Sequence, residues 1–171
     1  DIPSSLFTTN YQDIVRAKNV DVVIELIGGI VPAKDIILRS LRSGKNVITA
    51  NKALLAEELP AILKIAHTNK VQVRFEASVC GGIPIIKSLS EGLAINRIDS
   101  IFGIINGTSN FILSKMSEQG CSFSEALHEA KKKGYAEANP SLDIKGRDAA
   151  HKLGILAYLA FGRFIPQKNI Y

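Results

Sequence analysis

The sequence predicts an α/β chain: a partial parallel sheet with helical crossovers over residues 1–77, passing into an α+β portion over residues 78–171. Three observations predict it. β-branched runs alternate with runs of helical period up to Ala77, as in strand–helix–strand units. The links between them are short, which leaves right-handed parallel crossovers as the expected connection. After Glu76 the alternation stops, and helical segments follow around a single strand-like run.

The first strand is Val20–Ile27, apolar nearly throughout and closed by Gly28-Gly29, the pattern of a buried parallel strand. Pro32 suits a first helical turn. Residues 33–43 place Ile36, Ile37, Leu38 and Leu41 in a helix that Gly44 ends. Residues 45–50 form a second strand. Residues 54–68 form a second helix, with Leu59, Ile62, Leu63 and Ala66 at helical spacing. Residues 71–77 alternate Val71, Val73 and Phe75 as a third strand. The domain boundary is expected between Glu76 and Gly82. Beyond the Gly81-Gly82-Ile83-Pro84 loop come a short helix at 85–92, a strand at 97–105 and a helix at 108–119 capped by Thr108 or Ser109. A further helix starts at Ser122 or Ser124 and ends at Gly134. After a loop at 138–141, one long helix runs over 143–160.

Composition excludes several classes. Hydrophobic residues make up 46% and charged residues 22% of the 171, an ordinary globular balance. The net charge is +5, yet Lys and Arg are scattered. The one dense run, Lys131-Lys132-Lys133, lacks interleaved aromatics and reads as a solvated helix face, so nucleic acid is not an expected partner. Cys80, Cys121, His67, His128 and His151 are dispersed with no zinc spacing. Two lone cysteines fit a reducing compartment. No apolar run approaches the ~20 residues that cross a bilayer, and Asp1-Ile2-Pro3-Ser4 does not begin a signal peptide. No membrane partner and a cytoplasmic location are the expectation.

Four features carry chemistry. Asp148 and Lys152 stand one turn apart on a helix that is apolar nearly all round from Leu153. On a wet face such a pair contributes only ~0.2–0.5 kcal/mol. On a buried helix a charge costs several kcal/mol unless paired or functional, and a lysine there suits proton transfer. Glu137, Asp143 and Asp148 form a group of carboxylates suited to an organic cation, or else are helix-end charges. Gly28-Gly29 and Thr49-Ala50-Asn51-Lys52 end adjacent strands, where open parallel sheets bind ligands; ordinary turns would read the same way. The Gly-x-Gly-x-x-Gly phosphate loop occurs nowhere in the chain. Glu76–Pro84 is a glycine-containing bend whose carbonyls suit a hard cation, or a plain interdomain turn. At Asn106-Gly107-Thr108-Ser109-Asn110 a helix start can receive a carboxylate, with Thr108 a candidate substrate contact, or is simply capped.

Together these segments resemble homoserine dehydrogenase. The likeness runs through Val22–Gly29, Val47–Lys52, Gly81–Ile86 and Gly103–Asn110. Its most diagnostic part is Ala130-x-x-x-Gly134-Tyr135-Ala136-Glu137-x-x-Pro140-x-x-Asp143-Ile144-x-Gly146-x-Asp148-x-x-x-Lys152.

The resemblance implies an oxidoreductase that interconverts L-homoserine and L-aspartate 4-semialdehyde with NAD or NADP, on the route to threonine and methionine. It implies a partial Rossmann-like cofactor domain over 1–77 and the first half of a substrate-binding, catalytic domain over 78–171. Lys152 would transfer the proton, Glu137 and Asp148 would hold the substrate, and Asp143 would support the pocket. Lys52 would lie between nicotinamide and substrate, and Gly28, Gly29, Thr49 and Gly134 would line the cofactor site. A sodium-type cation would sit on carbonyls of Glu76, Val79, Gly81 and Ile83. The family's first strand, glycine loop and first helix are not matched, nor is its substrate domain beyond Tyr171. A chain with these bounds is therefore expected to be inactive alone, and the full-length protein to be a homo-oligomer, dimer or tetramer. Two other readings stay open: another amino-acid-linked dehydrogenase, against which the Glu137-to-Lys152 pattern argues, and a non-catalytic segment of a longer chain, for instance one fused to an aspartokinase.

Overall fold

A computed structural model describes residues 2–171. By its internal contacts the chain forms two compact units, one running to Ile95 and the other spanning Asn96–Tyr171. Among the described residues no helix is long and apolar enough to cross a membrane.

The first unit is built on three parallel strands in the order β1 (Val22–Glu25), β2 (Asn46–Thr49) and β3 (Val73–Arg74). Val23 pairs with Val47, and Val47 with Val73. Helices α2 (Ala33–Arg42) and α3 (Lys52–Thr68) connect them. Val23, Val47 and Val73 bury one sheet face together with Ile36, Ile37 and Leu41 of α2 and Leu55, Leu59 and Ile62 of α3. The expected parallel strands joined through helices are thus present. Pro60 lies inside α3, where a missing N–H and ring clash cost ~3 kcal/mol; the apolar face of the helix outweighs that cost.

Several elements differ from the expectation. β1 is not buried on both faces: Val22 and Ile24 are exposed, and only Val23 and Glu25 point inward. A strand alternates its side chains, and α2 and α3 cover one face alone. The third strand shrinks to two residues because the chain turns at once. Ser78 Oγ donates to the Phe75 carbonyl at 2.6 Å, and the Glu76 carboxylate receives the N–H groups of Ile86 and Lys87, each at 2.8 Å. The short helix at 85–92 is α4 (Ile85–Lys87) continued by a π-turn at Ser88–Gly92. An additional helix, α1 (Tyr11–Arg16), precedes β1, and the Tyr11 hydroxyl donates to the Asp35 carboxylate of α2. Buried Lys45 donates to the carbonyls of Ala17 and Val20, at 2.5 and 2.7 Å, and so anchors the link from α1 to β1.

The second unit consists of α5 (Gly107–Gln119), α6 (Phe123–Lys132), α7 (Ser141–Ile144) and α8 (Arg147–Phe161). Ile112 of α5 packs on Ala126 and Ala130 of α6 and on Ala136; the small alanines let the two helices approach closely. The Phe111 and Tyr135 rings stack at 4.7 Å. The run at 97–105, expected as a strand, is not one. A strand needs a hydrogen-bonded neighbour, and none pairs with this segment among the described residues. The long final helix is also two. Gly146 adopts φ +70°, a left-handed conformation that glycine tolerates without penalty, and separates α7 from α8. Asp143 therefore lies in its own short turn.

Ser122 caps α6 in a reciprocal arrangement with Glu125, as one of the two expected caps. On the same helix Glu129 pairs with Lys115 of α5 and, at 2.9 Å, with Lys133. The two ammonium groups hold its carboxyl down, from the ordinary 4.5 to about 2. A depressed carboxyl contributes stability above its unfolded value and loses it as pH falls through the folded one. The melting-temperature gap between wild type and Glu129→Gln is accordingly expected to be full above pH 4.5 and to close as pH approaches 2. Thermal unfolding followed across that range checks this; a gap of constant width would assign the effect to packing instead.

Candidate active site

The second unit gathers its polar residues around Asn106, the cap of α5. Asn106 is the N-cap, displacing the expected Thr108 or Ser109: its Oδ1 accepts the Ser109 N–H at 2.8 Å. Its side-chain NH2 donates to Asp143 Oδ1 at 2.8 Å and to Asp148 Oδ2 at 2.9 Å. One carboxamide thus bridges two carboxylates 37 and 42 residues away in sequence. Thr108 Oγ1 donates to the Tyr135 carbonyl at 2.6 Å and lies 3.3 Å from Asp143 Oδ2. Ser109 Oγ donates to the Asp143 carbonyl at 3.2 Å.

Lys152 completes the cluster. Its Nζ stands 2.6 Å from Asp148 Oδ2 and donates to the Ile105 carbonyl at 2.7 Å. The side chains are 17% and 7% exposed, so this pair is well removed from solvent. An ammonium has three N–H bonds; Asp148 and Ile105 take two, and the third is available to a bound molecule. Two carboxylates sharing one amide donor, with a lysine one turn along α8, make a site for a cationic group beside a proton donor.

The expected residues divide. Thr108, Asp143, Asp148 and Lys152 are brought together, while Glu137 is exposed and, among the described residues, no hydrogen bond joins it to the cluster. Gly134 ends the turn after α6, next to the residue whose carbonyl accepts from Thr108. Sequence reasoning missed Asn106 as a site residue. An Asn directly before a helical run is a cap signal, but that it also bridges two aspartates follows only from the packing of α7 and α8 against α5.

The first unit presents its own constellation at the carboxyl ends of β1 and β2. Gly28 and Gly29 have φ of +77° and +68° and open space where a Cβ would stand, so the backbone there is free to meet a ligand. Thr49 ends β2, Asn51 caps α3, and Lys52 is the first residue of α3, two positions earlier than expected. Beneath the glycines lies Glu25, 1% exposed, which no reading of the apolar run had singled out. Further along, Cys80 and Gly81 adopt consecutive left-handed conformations, φ +61° and +58°. The bend donates backbone hydrogen bonds to the carbonyls of Glu76, Cys80 and Ile83; among the described residues none goes to Val79 or Gly81.

A parallel sheet with a glycine turn at its strand ends, and a separate unit holding a lysine among carboxylates, define a two-unit α/β protein with candidate ligand-binding residues in each unit. Comparison with known proteins makes the assignment specific. Residues 1–76 match the family model for the NAD binding domain of homoserine dehydrogenase, and residues 84–171 match the homoserine dehydrogenase model. The Neisseria gonorrhoeae homoserine dehydrogenase is 55% identical over 160 residues, covering 94% of this chain and 37% of the relative. The crystal structure of the Thiobacillus denitrificans homoserine dehydrogenase superposes with a TM-score of 0.85 at 54% identity, over 91% of this chain and 36% of that one. A hyperthermophilic archaeal homoserine dehydrogenase in complex with NADPH superposes with a TM-score of 0.83 at 32% identity, over 92% and 49%. The chain belongs to the homoserine dehydrogenase family, and it spans little more than a third of the length of the curated relatives described.

Proposed function

We propose that the protein carrying this segment interconverts L-homoserine and L-aspartate 4-semialdehyde, using NAD or NADP, and so supplies threonine and methionine synthesis. The observation that carries this reading is the enclosed Asp148–Lys152 pair tied to Asp143 through Asn106. The nicotinamide cofactor, when bound, accepts or gives the hydride at the substrate carbon.

The residues of this chain do the rest. In the reducing direction the Lys152 ammonium stabilises the negative charge that develops on the carbonyl oxygen and gives that oxygen a proton; in the oxidising direction Lys152 starts as the neutral amine and takes the hydroxyl proton of homoserine. Asp148 keeps the ammonium oriented. Asp143 and Asp148 attract the substrate's α-ammonium, and Glu137 joins them from its exposed turn. Thr108, at the start of α5, lies where the substrate carboxylate is drawn by the helix N-terminus. Gly28, Gly29 and Thr49 line the nicotinamide side in the first unit, and the family resemblance assigns Gly134 a cofactor contact and Lys52 a role toward both cofactor and substrate. The free carbonyls of Val79 and Gly81, with second lone pairs on those of Glu76 and Ile83, fit a monovalent cation such as sodium.

The test is a homoserine-dependent reduction of NAD⁺ or NADP⁺ by the purified full-length protein. Turnover with homoserine is expected with at least one of the two; reduction with neither would remove this reading.

A further inference from the structure

Glu25 is a carboxylate 1% exposed at the end of an otherwise apolar strand, and the proposed chemistry does not use it. Its Oε1 accepts the backbone N–H groups of Ile27 and Gly28, at 2.8 and 3.1 Å. Its Oε2 accepts the Thr49 hydroxyl at 2.7 Å. The Thr49 hydroxyl oxygen in turn accepts the Asn51 N–H at 3.0 Å. Asn51 Nδ2 donates to the Gly29 carbonyl at 2.7 Å, while its Oδ1 caps α3 by accepting the Leu54 N–H at 3.1 Å. The bonds form a closed circuit: out along the turn after β1, across to β2, into the start of α3, and back to the turn.

The turn has little else to hold it. Leu26 and Ile27 are 73% and 63% exposed, so side-chain packing does not fix its path. Two successive glycines in left-handed conformations leave its backbone free to take many others in the absence of restraint. A buried carboxylate is costly unless its lone pairs are satisfied, and here amide and hydroxyl donors satisfy both oxygens. Glu25 therefore restrains the turn from beneath, and Asn51 ties it to the helix that begins with Lys52.

We infer that Glu25 and Asn51 are positioning residues that hold the Gly28–Gly29 turn in register with the first turn of α3, and so set the affinity for the dinucleotide. This inference rests on the dehydrogenase reading, since it concerns the cofactor face of that site. It predicts an effect on cofactor affinity that exceeds the effect on chemistry.

The experiment uses the full-length protein and three variants. Glu25→Met keeps side-chain length and removes the acceptors. Glu25→Gln keeps an acceptor for the turn amides. Asn51→Asp keeps the helix cap but replaces the donor to Gly29 by an acceptor. Dissociation constants for NADPH and NADH come from titration of reduced-nicotinamide fluorescence, without substrate; KM and kcat come from homoserine oxidation, and melting temperature reports folding. Glu25→Met and Asn51→Asp are expected to weaken cofactor binding about ten-fold or more, roughly what losing one or two hydrogen bonds produces. Their cofactor KM should rise several-fold more than kcat falls, and Glu25→Gln should recover most of the affinity. Folded Met and Asp variants with wild-type dissociation constants would overturn the inference while leaving the dehydrogenase reading intact. So would an Asn51→Asp variant that melts early but binds cofactor normally, because its role would then be structural. A wild-type protein that neither binds nicotinamide nor oxidises homoserine would overturn both.

Discussion

Replacement of Lys152 by arginine in the full-length protein is expected to lower kcat by ~10²–10⁴, the range for loss of a general acid or base, while the protein still folds and binds nicotinamide. Guanidinium preserves the positive charge facing Asp148, so an ion pair remains possible. It does not deprotonate near neutrality, so proton exchange with the substrate oxygen is lost. A purely structural lysine would behave in the opposite way, with kcat close to wild type and a shift only in melting. The enclosure of the pair, and the third N–H of Lys152 left by Asp148 and Ile105, favour the chemical role. Pre-steady-state hydride transfer, compared with cofactor binding measured separately, distinguishes the two. A well-folded arginine variant with near-normal turnover would move the proton-transfer role away from Lys152, with Lys52 the next residue to test.

The second large effect concerns Asp148. Asp148→Ala removes the partner of an ammonium whose side chain is 17% exposed and takes one carboxylate from Asn106. Breaking such a pair leaves a charge without compensation and costs about 3 kcal/mol or more. Activity is expected to fall by at least ~10², because Lys152 loses its orientation and the substrate ammonium loses a partner. The double variant Asp148→Ala, Lys152→Met removes both charges and fills the lysine's place with an apolar side chain. It is expected to regain most of the lost stability while remaining inactive. Urea unfolding gives the stability cycle, and homoserine oxidation gives the activity. If the double variant is no more stable than Asp148→Ala, the destabilisation comes from the Asn106 network and not from the unpaired ammonium.

Much of the fold was legible because its elements repeat simple periods. The β-branched runs at 22–25 and 46–49 and the apolar spacing of α2 and α3 correspond to burial that can be read residue by residue. The strand at 97–105 was misread for a physical reason. Its β-branched, apolar content is a local property, whereas a strand exists only with a hydrogen-bonded neighbour, and the described residues provide none. The break at Gly146 was legible in principle: a glycine between two helical runs marks a left-handed end. Periodicity through Asp148, Lys152, Ile155 and Leu159 obscured it by carrying the pattern upstream.

The site shows the same division. The sequence by itself determined the strand–helix alternation of the first unit, the family through the Ala130-to-Lys152 pattern, and the residue types able to carry the chemistry. Asp148 and Lys152 could be paired from sequence because i and i+4 on one helix always lie near each other. Only the tertiary structure decided that Asn106 reaches both Asp143 and Asp148, that Glu137 lies on an exposed turn, and that Glu25 faces inward to grip the glycine turn. Those contacts join positions tens of residues apart, or depend on which face of β1 the helices cover. No local pattern encodes either one, because both arise when separate elements pack and their polar groups must find partners away from water.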